Sequence, residues 1–148
     1  MMTLYLDLCC LKRPLDDQTE ERVRLESQAI LIILARCDRG QWGYVSSEVL
    51  EDENALNPDP DRRERTARVL RRSRHRIALT DAAVIRAEQL ISQGFKDYDA
   101  LHMACAVSGR VDVLLTTDDR FLSRARKLAV SLELPVRGPV EFLGEALA

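Results

Sequence analysis

The sequence predicts an α/β fold in three layers: a central parallel sheet of about five strands with helices on both faces. Three observations lead there. Short apolar runs alternate with longer helical stretches along the chain, the pattern of strands joined by helical crossovers. The 148 residues are 46% hydrophobic, which suits one domain over 1–148 that buries its own core without a disulfide or structural metal. No internal repeat or linker divides the chain.

The elements follow in order. Thr3-Leu4-Tyr5-Leu6 reads as a buried strand closed by Asp7, with a polar loop through Pro14, Asp16 and Asp17 after it. Thr19 can cap a long helix with apolar residues at Val23, Ile30, Ile33 and Leu34, ended by Gly40. Trp42 to Val45 is a second strand, and Ser46 or Ser47 opens the next helix. Asn57-Pro58-Asp59-Pro60 stops it, and an arginine-rich helix runs to about Ser73. Ile77-Ala78-Leu79 is a third strand. Thr80 or Asp81 caps a helix that ends at Gly94, and Asp97 to Ser108 is helical with Gly109 beyond it. Val111 to Leu115 is a fourth strand, Asp119 to Ala129 a helix, Leu134 to Val136 the last strand, and Pro139 suits the first turn of a final helix. Right-handed crossovers bring the C-terminal strand ends to one edge, where ligands of open α/β sheets bind.

Composition excludes several classes. The hydrophobic fraction excludes a wholly disordered chain, and 6 Gly with 5 Pro exclude collagen-like sequence. A net charge of −2 argues against holding nucleic acid by bulk positive charge. The first apolar run is broken by Asp7 and followed by Lys12 and Arg13, unlike a signal peptide, and the longest one, Ala29 to Ala35, is too short to span a membrane. A cytoplasmic protein with no membrane association is expected. Cys9 and Cys10 are adjacent and no Cys-x-x-Cys pair exists, so Cys9, Cys10, Cys37 and Cys105 read as small buried apolar residues.

Four carboxylates fall toward the same edge. Asp7 ends the first strand, in apolar surroundings where a lone charge needs an Arg, a Lys or a metal ion beside it; Arg13 is one available partner. Asp118 follows the fourth strand. Glu53 shares the helix face of Val49 and Leu50, with Glu48 as the alternative nearer the strand end. Asp99 lies in the first turn of its helix. Asp99, Asp118 and Asp119 can also be read as helix caps. Oxygen ligands suit Mg²⁺ or Mn²⁺, and a carboxylate-held ion pair can activate water for phosphodiester displacement. No Ser-His-Asp set or glycine-rich phosphate loop is present. An aspartyl phosphatase needs a second Asp where Cys9 stands.

The strings Leu4-Tyr5-Leu6-Asp7, Ser47 to Glu53, Asp99-Ala100-Leu101-His102-Met103-Ala104 and Leu115-Thr116-Thr117-Asp118-Asp119-Arg120-Phe121 resemble, in order, the motif regions of PIN-domain nucleases. They are similar to VapC-like toxins, and Leu6-Asp7-Leu8-Cys9-Cys10-Leu11-Lys12-Arg13-Pro14 with Asp16-Asp17 resembles one subgroup of these. The resemblance implies a Mg²⁺- or Mn²⁺-dependent ribonuclease with Asp7, Glu53, Asp99 and Asp118 as catalytic and metal-binding acids. It also implies RNA as substrate, a small antitoxin as partner, and a homodimer, to which the helix Ala29 to Leu34 could contribute. The second reading is a catalytically silent PIN-fold module that binds RNA or protein.

Other residues complete the expectations. Lys12 and Arg13, beside Asp7, are candidates for holding the scissile phosphate, and Thr116 or Thr117 for orienting a ligand or water. The tract Arg62, Arg63, Arg65, Arg68, Arg71, Arg72, Arg74 and Arg76 either contacts RNA or forms a solvated face offset by nearby acids. His102 reads as a loop-bonding residue rather than a base, and Trp42, Tyr44 and Phe121 as packing residues.

Overall fold

A computed structural model of the chain describes residues 1–132 and 134–148, the side chains of residues 129–132 excepted. Five strands, β1 (Met2–Leu6), β2 (Trp42–Ser47), β3 (Arg76–Ile77), β4 (Val113–Leu115) and β5 (Val136–Arg137), form one parallel sheet in the order β3-β2-β1-β4-β5. The helices are α1 (Leu8–Lys12), α2 (Glu21–Asp38), α3 (Glu48–Ala55), α4 (Pro60–Arg71), α5 (Asp81–Ser92), α6 (Asp97–Ser108), α7 (Asp119–Leu132) and α8 (Pro139–Leu147). They flank the sheet, so the expected three-layer α/β architecture is the one observed. Among the described residues no helix is long and apolar enough to cross a membrane.

β1 is the central strand because both of its faces are apolar: Leu4, Tyr5 and Leu6 are all buried. It pairs with β2 on one side (Leu4 opposite Tyr44) and β4 on the other (Leu4 opposite Val113). The chain leaves β1 toward β2 and β3, then crosses back to β4 and β5. The segments after β1 and β4 therefore diverge, which opens a crevice at the C-terminal ends of these two neighbours. On the flanks, α2 packs against α8 and β2, while α6 packs against α3 and α5. Phe95 and Phe121 meet edge to face in the core, Trp42 packs against Phe142, and the Tyr44 hydroxyl donates to the Val69 carbonyl. Trp42, Tyr44 and Phe121 thus pack within the fold, as read.

Several boundaries differ from expectation. The segment after Asp7 is not a loop: it forms α1 and then a 3-10 turn over Arg13–Leu15. Asp7 starts this helix by accepting from the Leu8 N–H at 2.8 Å, a local bond that five residues of apolar sequence do not announce. β3 and β4 are shorter than their apolar runs, and β5 is shifted to Val136–Arg137. The caps Ser47 and Thr80 are as read, each accepting from the N–H three residues on. Gly109 follows α6, and a Cβ there would stand 2.3 Å from Cδ1 of Ile77, so a larger residue would force that buried side chain to shift.

Candidate metal centre

The crevice holds a cavity of about 420 Å³ whose lining includes Asp7, Glu53, Asp99 and Asp118, with Lys12, Cys9, Asn57 and Tyr98 around them. Four elements bring the acids together: the end of β1, the last turns of α3, the first turn of α6 and the turn after β4. Among the described residues, none of the four meets an Arg or Lys at ion-pair distance; the only basic partner is His102, 2.9 Å from Glu53 and 3.6 Å from Asp7.

Asp7 is 6% exposed. Its Oδ1 accepts from Leu8 N, and its Oδ2 accepts from the Thr116 hydroxyl at 2.9 Å and the Cys9 thiol at 3.2 Å. These neutral donors hold the carboxylate in place without cancelling its charge. Arg13, offered by the sequence as a partner for Asp7, instead pairs with Asp16 and Glu26 and does not line the cavity, whereas Lys12 does. Asp118 lines the cavity and also caps α7, accepting from Arg120 N and Phe121 N. Asp99 is not the cap of α6; that position is Lys96. Burial, then the charges of Asp7 and Asp118, push the Asp99 carboxyl up to about 6, against the opposing pull of His102 and Lys96. Glu48 is absent from the lining and accepts from the Leu79 N–H at 3.0 Å.

His102 is the residue whose part exceeds its sequence reading. It is fully buried on α6, three residues after Asp99 and so on the same side of the helix. Its Nε2 lies 2.9 Å from Glu53 Oε1 and its Nδ1 2.6 Å from the Tyr5 hydroxyl, which lies 2.7 Å from the Ser47 hydroxyl. Two proton arrangements satisfy this chain. A neutral ring donates from Nε2 to Glu53 and accepts from Tyr5; a charged ring donates at both nitrogens and turns Tyr5 toward Ser47. Burial opposes the charged ring, but the bond to Glu53 and the charges of Asp7, Glu53 and Asp99 outweigh it and raise the His102 pKa. Asp7, Glu53 and His102 each offer one ligand atom within 4.8 Å of the others and form a candidate metal site.

Thr116 links two acids: its hydroxyl donates to Asp7 and accepts from the Asp118 N–H at 3.1 Å. Thr117 contributes backbone only, its N–H donating to the Cys9 sulfur and its carbonyl accepting from Arg22. Cys10 and Cys105 are buried as expected; Cys9 is part-exposed in the cavity wall and Cys37 is part-exposed, and all four are free. The arginine tract is largely paired within the fold, Arg62 with Asp16, Arg65 with Asp61, Arg68 and Arg71 with Glu64, Arg72 with Asp38 and Arg76 with Glu51.

Residues 19–127 match the family model of the PIN domain. The fold is similar to a chain in the crystal structure of VapBC2 from Rickettsia felis bound to a DNA fragment from their promoter. That comparison has a TM-score of 0.59 and 9% sequence identity, and it covers 93% of this chain and 98% of that one. No curated protein sequence matches the chain.

Proposed function

The chain belongs to the PIN-domain family, and from that premise we propose that it is a metal-dependent endoribonuclease with Asp7, Glu53, Asp99 and Asp118 around Mg²⁺ or Mn²⁺. The observation that carries this reading is an acid set that meets no Arg or Lys at ion-pair distance among the described residues. Four carboxylates share one cavity with a single lysine, and burial, then the charges of Asp7 and Asp118, push one of them, Asp99, up to about 6. Such a charge imbalance is relieved by a divalent cation. Oxygen donors fit Mg²⁺ and Mn²⁺ alike, while an imidazole nitrogen from His102 favours Mn²⁺. When bound, such an ion supplies a water acidic enough to attack a phosphodiester near neutral pH and offsets charge on the displaced oxygen.

The chain's own residues do the remaining work. Lys12, without an ion pair among the described residues, faces the cavity and is suited to a phosphate oxygen. Thr116 orients the Asp7 carboxylate and ties it to the Asp118 turn. His102 holds Glu53 in position from behind, and Tyr5 fixes the imidazole. On the likeness to VapBC2, we take the chain to be the toxin half of a pair with a small antitoxin, acting on RNA in the cytoplasm. The alternative, a catalytically silent binding module, leaves four clustered acids that meet no Arg or Lys among the described residues without a role.

The test uses wild type and Asp7→Asn with several labelled RNAs, each in Mn²⁺ or EDTA. Cleavage is expected only for wild type with Mn²⁺. Mn²⁺ at about 100 times its Kd also stabilises the wild type by about 2.7 kcal/mol, a rise in Tm of roughly 5–10 °C, but leaves the variant unmoved. Equal RNA half-lives in all four conditions would transfer the protein to the silent class.

A further inference from the structure

The cavity that holds the acids also has an apolar part. Leu56, Pro58 and Tyr98 line it together with the carboxylates and Lys12. Leu56 follows the last turn of α3 and is 69% exposed, the most of any large hydrophobic side chain among the described residues. Tyr98 lies in the first turn of α6 beside Asp99, and among the described residues it is the one aromatic side chain that lines this cavity. Resting on the nuclease reading, we propose that Tyr98 and the Leu56–Pro58 rim form a subsite for one unstacked nucleobase of the RNA, adjoining the phosphate that Lys12 is suited to hold.

Tyr98 is held as a platform without being covered. Part of it packs against the core, and its ring lies 6.3 Å from that of His102 with a tilt of 30°. His102 is itself fixed by Glu53 and Tyr5, so the network that steadies a metal-binding acid also steadies the ring next to it. The rest of Tyr98 is part-exposed, and its hydroxyl makes no hydrogen bond among the described residues. The other two tyrosines differ: Tyr5 and Tyr44 are buried and engage their hydroxyls inside the fold.

The rim is set before anything binds. Asn57 stands between Leu56 and Pro58. Its N–H donates to the Asn54 carbonyl at 3.0 Å, its carbonyl accepts from Arg63 Nη1 at 2.8 Å, and its Oδ1 accepts from the Asp59 N–H at 3.1 Å. Pro58 adds a fixed φ. Leu56 is therefore presented on a pre-organised turn, which lowers the ordering cost of binding against it. It stands outside the core cluster, so the fold gives this leucine no apolar partner, whereas a base would. A nucleotide joins a charged phosphate to a flat ring with apolar faces, and the lining of the cavity divides in the same way. Its volume of about 420 Å³ lies within the roughly 300–1,000 Å³ of small-ligand pockets. Stacking on an aromatic ring accepts any base, but only a base freed from its own stack. The selectivity expected of this subsite is thus for single strands over duplex, not for sequence.

The test uses the full chain with Mn²⁺ and end-labelled single-stranded RNAs. The cleaved bond is mapped, and each nucleotide near it is replaced in turn by an abasic one. One replacement should lower kcat/KM about tenfold and the others by less than about twofold, and annealing the RNA to its complement should slow cleavage at least about tenfold. Tyr98→Ala should lose the same factor on intact RNA and become indifferent to the abasic replacement, with the Mn²⁺-induced Tm rise kept as the sign that Asp99 is still in place. Tyr98→Phe, which retains the ring, should retain the discrimination. Fluorescence anisotropy with Asp7→Asn, on an RNA and its fully abasic counterpart, reads binding without turnover; the intact RNA should bind about tenfold more tightly. A wild type that cleaves but treats intact and abasic RNAs alike overturns the subsite and leaves the nuclease reading standing. Base-dependent binding with no cleavage of any RNA by wild type keeps the subsite and overturns the nuclease reading; equal binding with no cleavage overturns both. If Tyr98→Ala discriminates as wild type does, Tyr98 is not the platform and the proposal falls.

Discussion

Two sets of carboxylates lie side by side in this fold and meet opposite fates. In the first, acids and guanidinium groups alternate in one continuous ladder: Asp119, Arg22, Glu26, Arg13, Asp16, Arg62, with successive contacts of 2.8, 3.5, 3.1, 3.2 and 2.6 Å. It ties α7, α2, the 3-10 turn and α4 together around the crevice. In the second set, Asp7, Glu53, Asp99 and Asp118 share a cavity and, among the described residues, meet no guanidinium. Asp118 and Asp119 are sequence neighbours, yet one faces the cavity while Arg22 grips the other through two bonds of 2.8 Å. The fold has arginines at hand and uses them next door. A neutralised acid holds elements together; an acid left without a cation is available to one from solution.

The largest expected effect separates the two sets by substitution. Asp7→Asn keeps the bond to Leu8 N, removes the charge and turns the acceptor of Thr116 and Cys9 into an amide donor, so it should lower RNA cleavage at least about 100-fold while raising Tm in EDTA by relieving repulsion. Glu26→Gln should do the reverse. Glu26 is 6% exposed with Arg13 and Arg22 against it, and breaking this pairing should cost about 2 kcal/mol, roughly 6 °C in Tm, with cleavage at permissive temperature kept within a few-fold. Thermal unfolding of both variants beside their cleavage rates decides. If Asp7→Asn destabilises as much as Glu26→Gln, Asp7 belongs with the ladder.

The pH dependence of the metal-free protein should show the same division at a smaller scale. Asp99 is raised to about 6 by burial and by the charges of Asp7 and Asp118. The folded state holds that proton more tightly than the unfolded one, so stability falls as pH rises from near 4 through 6 and stays reduced above. His102, raised from 6.5 by its acidic neighbours against the effect of burial, acts in the same sense: its contribution is present below 6.5 and lost as pH rises through the higher folded value. Asp119 has the opposite sign. The bond and charge of Arg22 hold it below 3.8, so its contribution is present above that value and lost as pH falls through the lowered one. Melting in EDTA from about pH 3 to 8 should therefore show Tm falling on the alkaline side, with Asp99→Asn flattening the part near pH 6. Arg22→Ala should lower Tm above about pH 4, where its pairing with Asp119 and Glu26 is present, and make the acid limb shallower. A Tm that climbs steadily toward pH 8 in EDTA contradicts the unpaired reading of the cavity.

How much of this was readable beforehand follows from the range of each interaction. The acids at strand ends were legible because an apolar run ending in Asp, as in Leu4-Tyr5-Leu6-Asp7, fixes both burial and edge position locally. The ladder was not. Arg13 stands six residues from Asp7 in sequence but pairs with Glu26 and Asp16, and that choice depends on where α2 lies over the 3-10 turn. The link from His102 through Tyr5 to Ser47 was hidden for the same reason, since β1, β2 and α6 supply one group each; its one local signal was the three-residue step from Asp99 on a common helix side. Cys9 looked like filler beside Cys10, but α1 starts at the cavity and sets the two thiols in different surroundings, one in the wall and one in the core.

The smallest effect tests the sharpest local choice, Glu53 against Glu48 on one short helix. Five residues apart, their side chains leave α3 about 140° from each other, so both cannot face one cavity. Glu53 reaches the cavity and His102; Glu48 reaches across to Leu79 N before α5. Glu48→Ala should leave that N–H unpaired and cost about 1 kcal/mol, near 3 °C in Tm, with cleavage and the Mn²⁺-induced Tm rise intact. Glu53→Ala should abolish both readouts. It also frees His102 Nε2, so Glu53→Gln, which keeps an acceptor for the imidazole, separates loss of the charge from loss of the bond. If Glu53→Gln cleaves and responds to Mn²⁺ like wild type, the acid that matters on α3 is not Glu53, and the cavity set shrinks to the three aspartates.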